Sequence, residues 1–187
     1  MNDVGTKTLE TERLILRRIK ESDAEEAFEN WTNDSKVTRY ISWEPHGNVE
    51  VTKSFLKSVV EEYNKEFTYK WVVYVKELDN IIGTIDIVHK SILDKTCEIG
   101  YCYGSKYWNK GYGTEALKKV IEFLFNEVGF ELIEIKHQEE NIASGKVMQK
   151  AGLKYDTTLR KRLIDKETKQ RVNLVIYSIT KEEFNNK

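Results

Sequence analysis

Between residues 69 and 103, three runs rich in aromatic and β-branched residues are joined by turns of only a few residues. That spacing limits the fold more than anything else in the chain. The runs Tyr69 to Val75, Ile81 to His89 and Cys97 to Tyr103 have strand composition, and Leu78-Asp79-Asn80 and Asp94-Lys95 are the turns between them. Strands so closely linked must be antiparallel neighbours, because a parallel crossover takes a dozen residues or more.

The pattern then changes. Gly113 to Val128 is predicted as the strongest helix, with Leu117, Val120, Ile121, Leu124 and Val128 on one stripe and Gly129 as its stop. Leu132 to His137 reads as a strand, Asn141 to Lys150 as a shorter helix ended by Ala151-Gly152, and Leu153 to Leu163 and Val172 to Ile179 as two strands flanking the turn Asp165 to Gln170. The stretch from Cys97 to His137 is long enough for a right-handed β-α-β crossover between parallel strands. Ahead of the meander, Leu14 to Ile19 reads as a strand and Ser22-Asp23 as the cap of a helix carrying Ala24, Ala27, Phe28 and Trp31. A second helix runs from Val49 to Tyr63 with Val51, Phe55, Val59 and Tyr63 at fourfold spacing, and residues 1 to 8 read as a loose polar lead-in. The sum is one α/β domain, a mixed sheet with helices on its faces.

Charge narrows the partners. Thirty basic and 31 acidic residues nearly cancel, so neither nucleic acid nor an anionic membrane is expected. No apolar run is long enough to span a bilayer and no leader pattern opens the chain. Cys97 and Cys102 lie on one predicted strand, about 16 Å apart if extended, too far for a disulfide. Free thiols and the missing leader lead to an expectation of the cytoplasm. No metal is expected, since the cysteines and the three histidines lack ligand spacing.

Lys110-Gly111-Tyr112-Gly113-Thr114-Glu115-Ala116 joins a strand end to the strongest helix. The first turn of a helix has unpaired N–H groups and partial positive charge, and glycine lets an anion approach without meeting a Cβ, so the turn suits a pyrophosphate. A tight turn whose glycines serve packing fits it equally well. A P-loop is ruled out because its lysine must follow the turn. Gly111, Gly113 and Ala116 satisfy a dinucleotide fingerprint, with Glu131 and Glu134 near the ribose carboxylate position, but an antiparallel meander precedes them where a parallel sheet belongs.

Four segments together are more specific. Thr11-Glu12-Arg13-Leu14-Ile15-Leu16-Arg17, Glu98-Ile99-Gly100-Tyr101, Trp108 through Ala116, and Asn141-Ile142-Ala143-Ser144 with Lys150-Ala151-Gly152-Leu153 resemble the RimJ/RimL-like branch of the GNAT superfamily of N-acetyltransferases, in that family's order and spacing. The resemblance implies a mixed six- to seven-stranded sheet with helices on both faces and a central parallel strand pair that splays apart. It implies acetyl-CoA as co-substrate and a primary amine as acceptor, a protein N-terminus or a small molecule, in a monomer or homodimer. The binding residues carried over are Tyr101, Cys102 and Tyr103 on the splayed strand, Trp108, Asn109, Lys110, Gly111, Tyr112, Gly113 and Thr114 at the turn, and Asn141.

In that family the amine attacks the thioester directly, and a backbone N–H near Tyr101 to Tyr103 would stabilise the developing oxyanion. Glu98 stands where some branches keep a general base; a solvated strand-end carboxylate is its other reading. The usual tyrosine acid is replaced by Met148, leaving Ser144 as the donor to the thiolate. Asn141 reads as N-cap, as pantetheine partner, or both. His137 is a weaker candidate base, and Tyr40, Trp43 and His46 are candidates for an aromatic acceptor wall. Trp108 occupies a position where the superfamily carries Arg or Gln, with Lys110 as an electrostatic substitute. Met148 and Trp108 also motivate the alternative, a non-catalytic acyl-CoA-binding module on the same fold.

Overall fold

The computed structural model describes residues 1–186. Its strands are β1 (Leu9–Glu10), β2 (Leu14–Arg17), β3 (Lys70–Val75), β4 (Asn80–Ser91), β5 (Thr96–Tyr103), β6 (Leu132–Gln138), β7 (Lys154–Ile164) and β8 (Arg171–Thr180). Its helices are α1 (Ala24–Ala27), α2 (Ser35–Thr38), α3 (Val49–Glu62), α4 (Tyr112–Phe123), α5 (Ile142–Ala151) and α6 (Lys181–Asn185). The short turns impose the expected antiparallel meander β3-β4-β5, and Asp79 and Lys95 take left-handed conformations within those turns.

All strands join one eight-stranded sheet in the order β1-β2-β3-β4-β5-β6-β8-β7. The expected count of six or seven is thus low by the two-residue β1, too short to leave a period, which pairs Leu9 with Leu16. Alternation along the strands feeds two cores. One face buries Trp71, Val73, Ile85 and Ile99 beneath Leu117, Val120, Ile121 and Leu124 of the α4 region, and the other packs Val72 and Ile81 on Ala27, Trp31, Leu56 and Val59. The α4 stripe is buried as its spacing requires, although the helix opens into a π-helical turn, Leu124–Val128, before Gly129 stops it at φ 90°.

Two expectations need correction. The helix α3 buries Thr52, Leu56 and Val59 while Val51 and Phe55 are exposed. Its inner face is turned because the Thr52 hydroxyl finds Thr32 Oγ1 at 2.9 Å and His46 Nδ1 at 2.8 Å, which removes the cost of burying it. The lead-in is also not loose. Lys7 O accepts the Trp71 indole N–H at 2.7 Å, Thr6 Oγ1 donates to Thr68 O at 2.9 Å, and Asn2 N–H donates to Val128 O at 2.8 Å.

The parallel pair is brief. β5 and β6 meet only at Thr96↔Leu132, Cys97↔Ile133 and Glu98↔Glu134. Beyond Glu98, β5 follows β4 to Tyr103 and β6 follows β8 to Gln138, so the two strands part.

Candidate active site

The parting leaves backbone groups of β5 without a strand partner. Gly104 N–H donates to Ile82 O at 2.9 Å, toward β4. The Tyr103 carbonyl lies trans across the same planar peptide, so it points the other way, into the gap. Alternation then turns the N–H and C=O of Tyr101 into the gap as well. Trp108 is tied to this edge, because its indole N–H donates to Tyr103 O at 2.7 Å. The departure at Trp108 therefore has a structural job: it closes the end of the open strand edge.

The gap leads to the start of α4. Gly111 is its N-cap at φ 83°, a left-handed conformation that glycine adopts without strain. Tyr112, Gly113 and Thr114 supply N–H groups with no intrahelical acceptor; the first helical bond runs from Glu115 N–H to Gly111 O at 3.1 Å. The two glycines do different work. A Cβ on Gly113 would lie 3.0 Å from Tyr103 Cε2, so this glycine lets the helix sit on the Tyr103 ring.

The turn is braced from the far end of the sheet. Glu115 accepts from Thr11 Oγ1 at 2.6 Å, Arg13 N–H at 3.1 Å and Arg13 Nε at 2.7 Å, and Arg13 Nη1 donates to Lys110 O at 3.1 Å. Burial alone would raise the Glu115 pKa, but the hydrogen bonds from Thr11 and Arg13 outweigh it and hold the carboxyl below its ordinary value. Arg13 also lies over the Tyr112 ring, 4.8 Å from its centroid.

One cavity of about 640 Å³ connects these features. Of the residues expected to bind or act, Tyr101, Cys102, Tyr103, Trp108, Asn109, Gly111, Tyr112, Gly113, Thr114, Asn141 and Ser144 line it. Tyr101 and Ser144 meet there, with hydroxyls 2.9 Å apart, and the stacked Tyr101 and Tyr103 rings form the floor. Burial pushes the Tyr101 phenol well above its ordinary pKa. Asn141 caps α5, its side chain accepting from Ser144 N–H at 3.4 Å. Cys102 is half-buried, and burial raises its thiol to about 11, so it stays protonated at neutral pH.

Glu98, Lys110 and His137 are not on that wall. Glu98 sits at the fork, where its carboxylate meets Lys136 Nζ at 2.6 Å. Lys110 is exposed, its ammonium 6.0 Å from the Tyr107 ring centroid. His137 is buried behind α5, where Gly145 makes room for its ring, and burial lowers its pKa. Met148 is fully buried in the core. Of the three residues expected to form an aromatic acceptor wall, Tyr40 lines the cavity, whereas Trp43 packs on the second core and His46 is buried against Thr52. The sequence reading missed Lys36, Val37 and Ile41 on that wall, since the short α2 carries no usable period.

A clasp holds the wall that carries Tyr40. Arg39 Nη1 meets Asp165 Oδ2 at 2.6 Å and its Nε meets Glu167 at 2.9 Å, while Lys166 Nζ donates to Trp43 O at 3.0 Å. Asp165 is 1% exposed; the Arg39 hydrogen bond, joined by those of the Thr168 backbone, keeps its pKa far below the carboxylate range.

Residues 13–154 match the family described as Acetyltransferase (GNAT) domain. The chain belongs to the GNAT acetyltransferase family. A similar relative is the uncharacterized N-acetyltransferase YoaA of Bacillus subtilis, 31% identical over 92% of this chain and 96% of its own. The crystal structure of a GNAT-family acetyltransferase from Bacillus anthracis superposes with TM-score 0.81 at 28% identity, covering 94% of this chain and 99% of the other. The Microcin C7 self-immunity acetyltransferase MccE, solved in complex with acetyl-CoA and AMP, shares the fold at TM-score 0.79 and 22% identity, over 91% of this chain and 93% of its own. Membership in the GNAT family makes acetyl transfer the reaction class. Among the described residues no helix is long and apolar enough to cross a membrane.

Proposed function

We propose that this chain transfers an acetyl group from acetyl-CoA to a primary amine by direct attack on the thioester. The RimJ/RimL-like segments further favour a protein N-terminal α-amine as acceptor. One observation carries the proposal: the open edge of β5 and the unpaired N–H groups of α4 share a single cavity. Those two donor sets fit the two ends of coenzyme A. The N–H groups of Tyr112, Gly113 and Thr114 would hold the pyrophosphate, and the Tyr101 carbonyl and the Tyr103 N–H would pair with pantetheine as an added strand does.

Acetyl-CoA supplies an acyl carbon already activated by its thioester, so no protein nucleophile is needed. Tyr101 N–H would donate to the carbonyl oxygen as charge develops on it. Ser144, with Tyr101 hydrogen-bonded behind it, would give a proton to the departing thiolate. Glu98 lies at the fork and off the cavity wall, so as base it would take the ammonium proton through water. Asn141 would orient pantetheine while capping α5.

The test is thiol release from acetyl-CoA across a panel of peptides and small amines, with wild type and Ser144→Ala. Ser144→Ala is expected to lower kcat by about 10²-fold, in the range of acid–base contributions, with the acetyl-CoA KM little changed. If neither coenzyme A nor acetyl-CoA raises the melting temperature at high concentration, the proposal fails.

A further inference from the structure

The β7–β8 pair carries a feature that neither the coenzyme groove nor the core explains. Leu159 pairs with Leu174 and Leu163 with Val172, so Arg160, Lys161 and Arg162 stand opposite the single residue Asn173. This is a three-residue bulge made wholly of cations. Lys161 sits at φ 54°, an unfavourable conformation for a residue with a Cβ. Two side chains hold it there: Asn173 Oδ1 accepts Lys161 N–H at 2.9 Å, and Arg171 Nη1 donates to Lys161 O at 3.1 Å.

The charge is not neutralised locally. Between residues 154 and 180 there are seven lysines and arginines and three carboxylates, Asp156, Asp165 and Glu167. Both Asp165 and Glu167 are engaged by Arg39. Among the described residues, Arg160, Lys161, Arg162 and Arg171 take part in none of the ion pairs, and all four are exposed. A chain of net charge -1 thus concentrates unpaired cations at one place.

A charged bulge on an edge strand also deters edge-to-edge aggregation. That purpose needs no attachment to the active site, yet the attachment is there. Asn173 Nδ2 donates to Glu139 Oε2 at 2.9 Å and Glu139 N–H donates to Asn173 O at 3.2 Å. The next two residues, Glu140 and Asn141, line the cavity. The cationic bulge is therefore fastened to the loop that forms the cavity rim, as bulges beside active sites often are.

We infer that the Arg160-Lys161-Arg162 bulge is an acceptor-docking surface that selects polypeptides with acidic residues following the amine to be acetylated. This rests on the polypeptide-acceptor reading above and adds a substrate class to it. An extended peptide whose amine enters the cavity and whose chain leaves across this rim would advance about 3.3 Å per residue toward the bulge. Carboxylates in that exiting segment would meet the guanidinium groups, for which they are the natural partners.

The experiment compares two peptides with the same N-terminal residue, one followed by aspartate and glutamate and its twin by serine and glutamine. Thiol release is followed for wild type and for Arg160→Gln/Arg162→Gln, which leaves the left-handed Lys161 in place. Wild type is expected to favour the acidic peptide, and that preference should shrink as salt is raised. The double variant should lose about tenfold in kcat/KM on the acidic peptide, mostly in KM, and less than twofold on its twin. Equal rates on both peptides in wild type, or an equal loss on both in the variant, would overturn the inference and leave peptide acetylation standing. If neither peptide is acetylated while small amines are, the polypeptide-acceptor reading itself falls, and the docking inference with it. An RNA oligonucleotide that binds wild type and not the variant at the same salt, with no peptide preference, would assign the bulge to nucleic acid instead.

Discussion

Replacing Glu115 by alanine should weaken both the fold and coenzyme binding, and the size of each effect can be worked from the brace. Glu115 accepts one hydroxyl, one backbone N–H and an Arg13 guanidinium. Loss of the first two removes about 1 kcal/mol each. The guanidinium pair adds less, about 0.5 kcal/mol, because the Arg13 side chain is 38% exposed and water replaces its partner. The expected cost is about 2–3 kcal/mol in urea unfolding. Coenzyme affinity should fall about tenfold, because Arg13 would no longer be held on Lys110 O beside the left-handed Gly111; that corresponds to about 1.4 kcal/mol. The pH dependence has a definite sign. The folded-state pKa of Glu115 is depressed, so its contribution is complete above the unfolded glutamate pKa of about 4.3 and is lost as pH falls through the lower folded value. The stability gap between wild type and Glu115→Gln should therefore be constant at neutral pH and close in acid. Calorimetric titration with coenzyme A beside urea melts separates the two effects. Unchanged coenzyme affinity in a destabilised Glu115→Ala protein would refute the idea that the brace shapes the anion site.

Other outcomes follow from the same geometry. Gly111→Ala forces a Cβ into a left-handed residue, at a cost of about 1–2 kcal/mol, and should weaken coenzyme binding, since Gly111 sets the direction of the α4 N–H groups. Gly113→Ala places a Cβ 3.0 Å from Tyr103 Cε2 and should destabilise by about 1–3 kcal/mol through overpacking, read by thermal melting. Arg39→Ala opens the clasp on Asp165 and Glu167, so the amine KM should rise about tenfold with the acetyl-CoA KM unchanged; parallel changes in both would mean general loosening. Glu98→Gln should lower kcat and alter the shape of the pH–rate profile, and an unaltered profile removes Glu98 from proton transfer.

What could be read from the sequence was what short-range physics determines. The meander follows from turn lengths, α4 from its apolar stripe, and the Gly111 turn from the demands of a strand-to-helix corner. The α3 face was misread because Thr52 is polar in sequence yet hydrogen-bonded and buried in the fold. Partners far apart in the chain left no local trace: Arg39 and Asp165 are 126 positions apart, and Glu115 reaches back to Thr11 and Arg13. The site showed the same division. Positions on the turn and on β5 came from local motifs, whereas the distance of Lys110 from the cavity wall and the Glu98–Lys136 pair depend on how side chains meet across strands. Trp108 reads in the sequence as a missing polar group, whereas in the fold its indole N–H donates to Tyr103 O.

Acetyl transfer from isotopically labelled acetyl-CoA to amines, with product mass and released thiol measured together, tests the proposed reaction most directly. At least one amine should gain the label in equal number to the thiol released, and that product should be lost in a Gly111→Ala protein with weakened coenzyme binding. Tight coenzyme binding with no labelled amine over a broad panel of peptides and small amines would contradict the proposed reaction.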